Sequence, residues 1–315
     1  MFVFLVRRIA FFAMALVAAS ILIFSLIRLA GGNIAAVMLG KAARPEAIDE
    51  LMVELGLDRP LPVQYFDWVT GMLRGDLGTS FRTGEPVTEL LLARLPVSVP
   101  LALAGMVLAL VVALPVGTYA ATRSGTRMGA FVTMMSQVGI AVPVFWAGVL
   151  LSLFFGVHLG WLPTGGWVAW STSVSGAIWS LVLPATALGL VMAATLSRYT
   201  RTSVLDVMNE DYVRTARASG MTRGGALRRV GLRNASLPLV TVLGLLVAEL
   251  IGGTVIIEEV FSLPGLARMI LSAVSAREVI VVQSAVMMIV AFVMVVNLVV
   301  DVLYGVLDPR VRVGR

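Results

Sequence analysis

The chain of 315 residues has no cysteine, a single histidine (His158) and a single lysine (Lys41). Without cysteine, disulfides and thiol chemistry are excluded, and cysteine usage gives no compartment. One histidine excludes a paired-histidine zinc motif. Lys41 is followed by Ala42, so there is no Gly-Lys-Ser/Thr phosphate loop to hold ATP. No Gly-x-Ser-x-Gly nucleophile elbow occurs either, which leaves an enzyme little to work with. Charge is scarce as well. Charged residues make up 13% of the chain and hydrophobic ones 59%, against roughly 25% charged in a soluble domain. With a mean hydropathy of +0.96, this is the composition of an all-α integral membrane protein.

Six membrane spans are expected. The first is the apolar run Ile9 to Ile27, behind Arg7 and Arg8. It is longer than the ~7–15 residues of a signal-peptide core, so it is read as a retained span. A polar insert follows over residues 31–95. Pro45 to Leu55 and Leu61 to Leu73 read as short amphipathic helices joined by the turn Leu55-Gly56-Leu57-Asp58-Arg59-Pro60-Leu61-Pro62. Gly75 to Ser80 reads as a loop. Further spans are Ser98 to Ala121, Met134 to Gly156 (kinked near Pro143), Ile178 to Ser197, Leu237 to Ile257 and Val279 to Leu303. Trp161, Trp167 and Trp170 suit an interfacial belt, with His158 at the same boundary. The expected organisation is an N-terminus and first span at 1–30, an extracytoplasmic insert at 31–95, a transmembrane core at 96–305 and a tail at 306–315.

Charge bias sets the orientation. Residues 1–8, 122–130, 198–235 and 306–315 hold 15 arginines against four acids, whereas the insert holds six bases against nine acids. By the positive-inside rule, both termini and the 198–235 segment are cytoplasmic. The basic residues lie in short segments between apolar runs, so the pI of about 10.4 marks membrane orientation and not nucleic-acid binding.

The longest polar interruption in the second half runs from Arg198 to Pro238 and contains eight arginines. Ser203-x-x-Asp206 is a candidate helix start. Val204, Met208, Tyr212, Thr215 and Ser219 share one helical face. Gly220 ends that helix and Thr222 caps a second through Ala226, Leu227 and Val230. Two short helices around a glycine turn, flanked by spans, make a docking knob.

This segment resembles the coupling loop of the membrane subunits of ABC importers, whose Glu-Ala-Ala-x-x-x-Gly pattern docks into an ATPase groove. Here Arg214-Thr215-Ala216 and Gly220 match it, without the acidic first residue. Asp211-Tyr212-Val213-Arg214-Thr215-Ala216-Arg217-Ala218-x-Gly220, then Leu232-Arg233-Asn234-Ala235 and Pro238, resemble the dipeptide/oligopeptide/nickel permease branch. Gly252-Gly253-Thr254, Phe261-Ser262-x-Pro264-Gly265 and Leu303-Tyr304-Gly305-Val306-Leu307-Asp308-Pro309-Arg310 resemble it too, as does the insert.

The resemblance implies a bacterial inner-membrane permease subunit with a second, similar permease, two cytoplasmic ATPases and an extracytoplasmic solute-binding protein. It binds no cofactor itself; ATP and Mg are used by the partners. Tyr212, Arg214, Thr215, Ala216, Arg217, Gly220 and Met221 are the expected docking residues. Peptide is the expected substrate, with nickel or another small solute open. An ion-coupled carrier or channel and a membrane scaffold are the other classes.

Ionisable groups within a bilayer are costly and so mark sites. Glu249 lies 12 residues past Leu237, ~18 Å along a helix, and Gly252-Gly253 follow. These three are expected on the translocation pathway, with a structural hydrogen bond as the other role for Glu249. Glu258 and Glu259 are placed at the outer mouth. Asn33 and Gln137 fall too near span boundaries to interpret.

Overall fold

A computed structural model describes residues 2–31, 34–39, 44–54 and 56–307. Asn33, Lys41, Leu55 and the tail residues Asp308, Pro309 and Arg310 lie outside the described residues. Every named element is a helix. Five helical stretches are long and apolar enough to cross a membrane: Val6–Leu29, Val87–Thr122, Val174–Met208, Pro238–Val260 and Val279–Val302. A sixth crossing exists if the bent pair Arg127–Ala141 and Val144–His158 counts as one span. Helices suit the bilayer because they satisfy every backbone polar group within the segment.

The chain forms two compact units. The first comprises Met1–Pro96 and Gly265–Leu298. It holds α1 (Phe2–Gly31), α2 (Ile34–Leu39), α3 (Pro45–Glu54), α4 (Leu61–Leu73) and α5 (Val87–Leu92). The insert helices α3 and α4 fall where the sequence puts them, and Gly56 takes the positive φ of +64° their turn requires. Helix α4 meets α1 through aromatic side chains. Phe24 packs edge-on to Tyr65 at 5.5 Å and stacks on Trp68 at 6.1 Å. The Ser20 and Tyr65 hydroxyls share a hydrogen bond of 2.8 Å. The loop after Gly75 closes with one antiparallel bridge, Thr79 to Pro86.

The second unit comprises Val97–Pro264 and Val299–Arg315. Its elements are α6 (Leu95–Thr122, beginning in the first unit), α7 (Arg127–Ala141), α8 (Val144–Leu151, continued by a π-helical turn Ser152–His158) and α9 (Val174–Met208). After them come α10 (Asp211–Ala218), α11 (Arg223–Ala226, with a π turn Leu227–Gly231) and α12 (Leu232–Val260). Two more helices complete the chain: α13 (Leu266–Ser275), in the first unit, and α14 (Val279–Leu307), which starts there.

The core of the second unit is built on α9. Leu181, Leu188, Met192 and Leu196 of α9 pack with Leu101 and Ala113 of α6 and with Leu246, Leu250 and Ile257 of α12. Helix α6 buries Val97, Leu101, Gly105, Ala109, Ala113, Gly117 and Ala121. With Ala120 buried beside them, these follow a four-residue spacing that is small from Gly105 onward. Small residues let helix backbones approach where lipid supplies no hydrophobic drive. The approach is close: a Cβ on Gly117 would lie 2.5 Å from the Ser197 carbonyl oxygen, and one on Gly189 would lie 2.8 Å from that of Gly105.

Two local expectations are corrected. The span expected as a kinked Met134–Gly156 starts at Arg127, on a Thr126 cap whose Oγ1 accepts from Gly129 N at 3.1 Å. It bends by 101° at Pro143, far beyond a kink, because proline drives the preceding Val142 to extended backbone (ψ 118°). Ser203 does not start a helix. It lies buried inside the unbroken α9, its hydroxyl donating to Ala235 O at 2.7 Å. Trp167 and Trp170 pack against the core of the second unit, and only Trp161 of the three is largely exposed. Helices α2, α5 and α13 had no counterpart in the sequence reading.

Candidate functional site

The knob expected between spans forms directly after α9. Asn209 ends α9, and the chain turns at Glu210 into the eight-residue α10. Asp211 sits in its first turn and Arg217 in its last, both complementing the helix dipole. Only Val213 is fully buried. Helix α10 ends in a Schellman motif. Gly220 adopts φ +91°, its N–H donates to Arg217 O at 3.0 Å, and Met221 N–H donates to Ala216 O at 3.3 Å. Thr222 then caps α11, its Oγ1 accepting from Gly225 N at 3.2 Å. The Gly220 stop and the Thr222 cap are both where the sequence puts them.

The knob has its own core. Val213, Ala226 and Leu227 bury against Val204, Val207 and Met208 at the end of α9, Ala121 at the end of α6 and Ala235 at the start of α12. Ala216 and Met221 pack against this cluster. They are the paired apolar residues that a Schellman turn brings together. The seven named docking residues therefore divide. Tyr212, Arg214, Thr215, Arg217 and Gly220 are on the outer surface, while Ala216 and Met221 are half-buried and hold the turn to its base. Arg214 Nη1 sits 3.4 Å from Asp211 Oδ1. Arg217 has no acidic partner among the described residues.

Glu249, Gly252 and Gly253 fall on α12, within its apolar stretch. Glu249 and Gly252 are exposed on this chain's surface, and a Cβ on Gly252 would meet nothing within 4 Å. Gly253 differs: its Cβ would lie 2.7 Å from Leu188 Cδ1, so it is a packing glycine. The three do not form one site. Glu249 and Gly252 share an open face, and Gly253 turns toward α9.

Two sequence comparisons bear on this geometry. A model of the family described as "Binding-protein-dependent transport system inner membrane component" matches residues 113–313, and its N-terminal companion matches residues 1–102. The chain belongs to this family. Among similar proteins is a putative peptide transport system permease protein of Brucella abortus, 37% identical over 308 residues and covering 98% of each chain. The oligopeptide transport system permease protein AppB of Bacillus subtilis is 37% identical, covering 98% of this chain and 99% of its own. The di/tripeptide transport system permease protein DppB of Pseudomonas aeruginosa is 36% identical, covering 99% of both.

This inner-membrane permease, a transport subunit, holds two further polar sites whose partners the sequence did not reveal. Glu258 is fully buried and accepts from the Ser98 hydroxyl at 2.5 Å. It ties α12 to α6 inside the second unit and so does not line a mouth. Glu278 in the first unit is 4% exposed. Its Oε2 accepts from the Ser80 hydroxyl at 2.7 Å, and its Oε1 lies 3.2 Å from Arg82 Nε. Beside it, Ser284 Oγ donates to Leu77 O at 2.9 Å. Together these clasp the insert loop to the start of α14. A carboxylate followed by an apolar span is the signal that would have flagged Glu278. Its partners lie about 200 residues away (198 to Ser80), beyond local pattern. Among the described residues no cluster of metal-ligating side chains occurs.

Proposed function

We propose that this permease forms half of a peptide translocation pathway in an ATP-driven importer and that the α10–α11 knob docks a cytoplasmic ATPase. The termini and the knob then face the cytoplasm. The other half of the pathway is a second, similar permease, and substrate arrives on an extracytoplasmic solute-binding protein. Peptide as the substrate rests on the likeness to permeases named for peptide transport. The observation that carries the coupling is the knob's construction. Its polar face, with Arg217 unpaired among the described residues, points outward, and its inner face is continuous with the ends of α6, α9 and α12. A push on α10 therefore moves spans and not a loop. Arg217 is the contact we assign to an acidic rim on the ATPase, and Glu249 with Gly252 line the pathway, where Glu249 meets a substrate ammonium.

Co-purification in mild detergent tests this. An ATPase is expected to accompany the wild-type protein and to be lost from Arg217→Glu and Gly220→Pro. A protein that emerges alone, with flux in vesicles lacking ATP, defeats the importer reading.

A further inference from the structure

Four buried polar atoms in the first unit lack hydrogen-bond partners among the described residues; Arg94 Nε lies at another pocket, and the other three converge. They are Arg28 Nε, Gln64 Oε1 and Trp68 Nε1. All three side chains line one cavity of about 370 Å³, with Asp67 and Asp76 on its wall. The Gln64 side chain is 9% exposed, and its orientation is fixed. Its Nε2 donates to Leu57 O at 3.0 Å and to Arg59 O at 2.7 Å. Turning the amide over would set its oxygen against two carbonyls, so Oε1 is an acceptor awaiting a donor. The Arg28 guanidinium lies 5.2 Å over the Phe24 ring and pairs with no carboxylate among the described residues. Asp67 is paired with Arg59 at 3.1 Å, and Asp76 accepts from Gly78 N at 2.9 Å through one oxygen.

A second cavity, about 670 Å³, shares Arg28 and Gln64 with the first. Apart from Ser25 and Tyr65, the rest of its lining is apolar, with Ile21, Phe24, Leu29 and Leu61 among it. Water would satisfy the polar cavity but has no reason to fill an apolar one. An occupant of both has a polar head and a hydrocarbon tail. Arg28 is one residue from the end of the first apolar span, Val6–Leu29, which is the depth of lipid headgroups.

We infer that the first unit binds a phospholipid with a phosphoethanolamine headgroup in the polar cavity and an acyl chain in the apolar one. Arg28 and the Trp68 N–H take the phosphate oxygens. The Gln64 Oε1 and the free Asp76 oxygen take the ammonium N–H groups. The wall carries two arginines, Arg28 and Arg59, and two aspartates, Asp67 and Asp76, a balanced lining that suits a zwitterionic headgroup. A choline headgroup has no N–H and leaves Gln64 Oε1 unpaired.

The test needs no knowledge of transport. Full-length protein is placed in discs of equal ethanolamine and choline phospholipid with identical acyl chains. The lipid retained through delipidation is then quantified by mass spectrometry. Ethanolamine lipid is expected to be enriched about tenfold, the consequence of one buried acceptor left unpaired in the choline case. Trp68→Phe, which keeps the ring on Phe24, and Arg28→Met are each expected to reduce retention. Equal retention of the two lipids overturns the inference, and so does unchanged retention in both variants or a cavity that holds water only. The wild-type comparison stands even where a variant folds poorly.

Discussion

The seam between α6 and α9 makes two glycines of one helix respond unequally to the same substitution. At Gly117 an added Cβ would sit 2.5 Å from Ser197 O and 2.6 Å from Thr200 Cβ. The first is backbone of a buried helix, and the second belongs to a residue 1% exposed whose hydroxyl is bound to Leu196 O. Neither can turn aside, so the helices must separate. Overpacking of this kind costs about 1–3 kcal/mol, partly offset by up to ~1 kcal/mol of helix propensity gained from glycine to alanine. The net expectation for Gly117→Ala is a loss of about 1–2 kcal/mol, a fall in melting temperature of roughly 2–5 °C. At Gly105 the nearest atom is Leu188 Cδ2 at 3.0 Å, the far end of a leucine. Gly105→Ala is expected to stay within about 0.5 kcal/mol of wild type, the propensity gain balancing a small shift. Thermal unfolding of both variants by circular dichroism in one detergent measures the contrast. If Gly117→Ala melts at or above Gly105→Ala, the seam is not backbone-limited and the reasoning fails.

Gly252→Leu is expected to leave melting unchanged, since nothing lies within 4 Å of its Cβ in this chain, while reducing uptake; full uptake would remove Gly252 from the pathway. Glu249→Gln is expected to lower uptake without lowering assembly, read by transport and by co-purified subunits in parallel. Ser98→Ala removes a donor from the buried Glu258 carboxylate and is expected to cost about 1.5–3 kcal/mol; an unshifted melt would mean that the hydrogen bond contributes nothing. Glu278→Gln keeps an acceptor for Ser80 but loses the charge facing Arg82, which is 58% exposed, so only about 1 kcal/mol is expected from that pair. Faster amide exchange over residues 77–86 is the readout.

The parts legible in the sequence were those governed by local chemistry. Gly220 and Thr222 announce their positions because a left-handed stop and a hydroxyl cap act within a few residues. Helix α4 ends at Leu73 as expected, just before the left-handed Gly75. Ser203 misled because Ser-x-x-Asp describes a cap only when the hydroxyl lacks another use. Here it reaches Ala235, 32 residues on. Pro143 announced a deviation but not its size, since neighbouring packing decides between a bend and a break. Glu258 and Glu278 were opaque because what makes a buried acid tolerable is a partner far along the chain, Ser98 in one case and Ser80 with Arg82 in the other.

The four-residue ridge on α6 also limits where anything can cross. With carbonyl oxygens under 3 Å from where a methyl would stand at Gly117 and Gly189, the seam has no room for a water file, let alone a peptide. Such a contact can slide or tilt as a block, but it cannot part to admit cargo. No solute path runs between α6 and α9, and this pair presents a solid wall to whatever lies beside it.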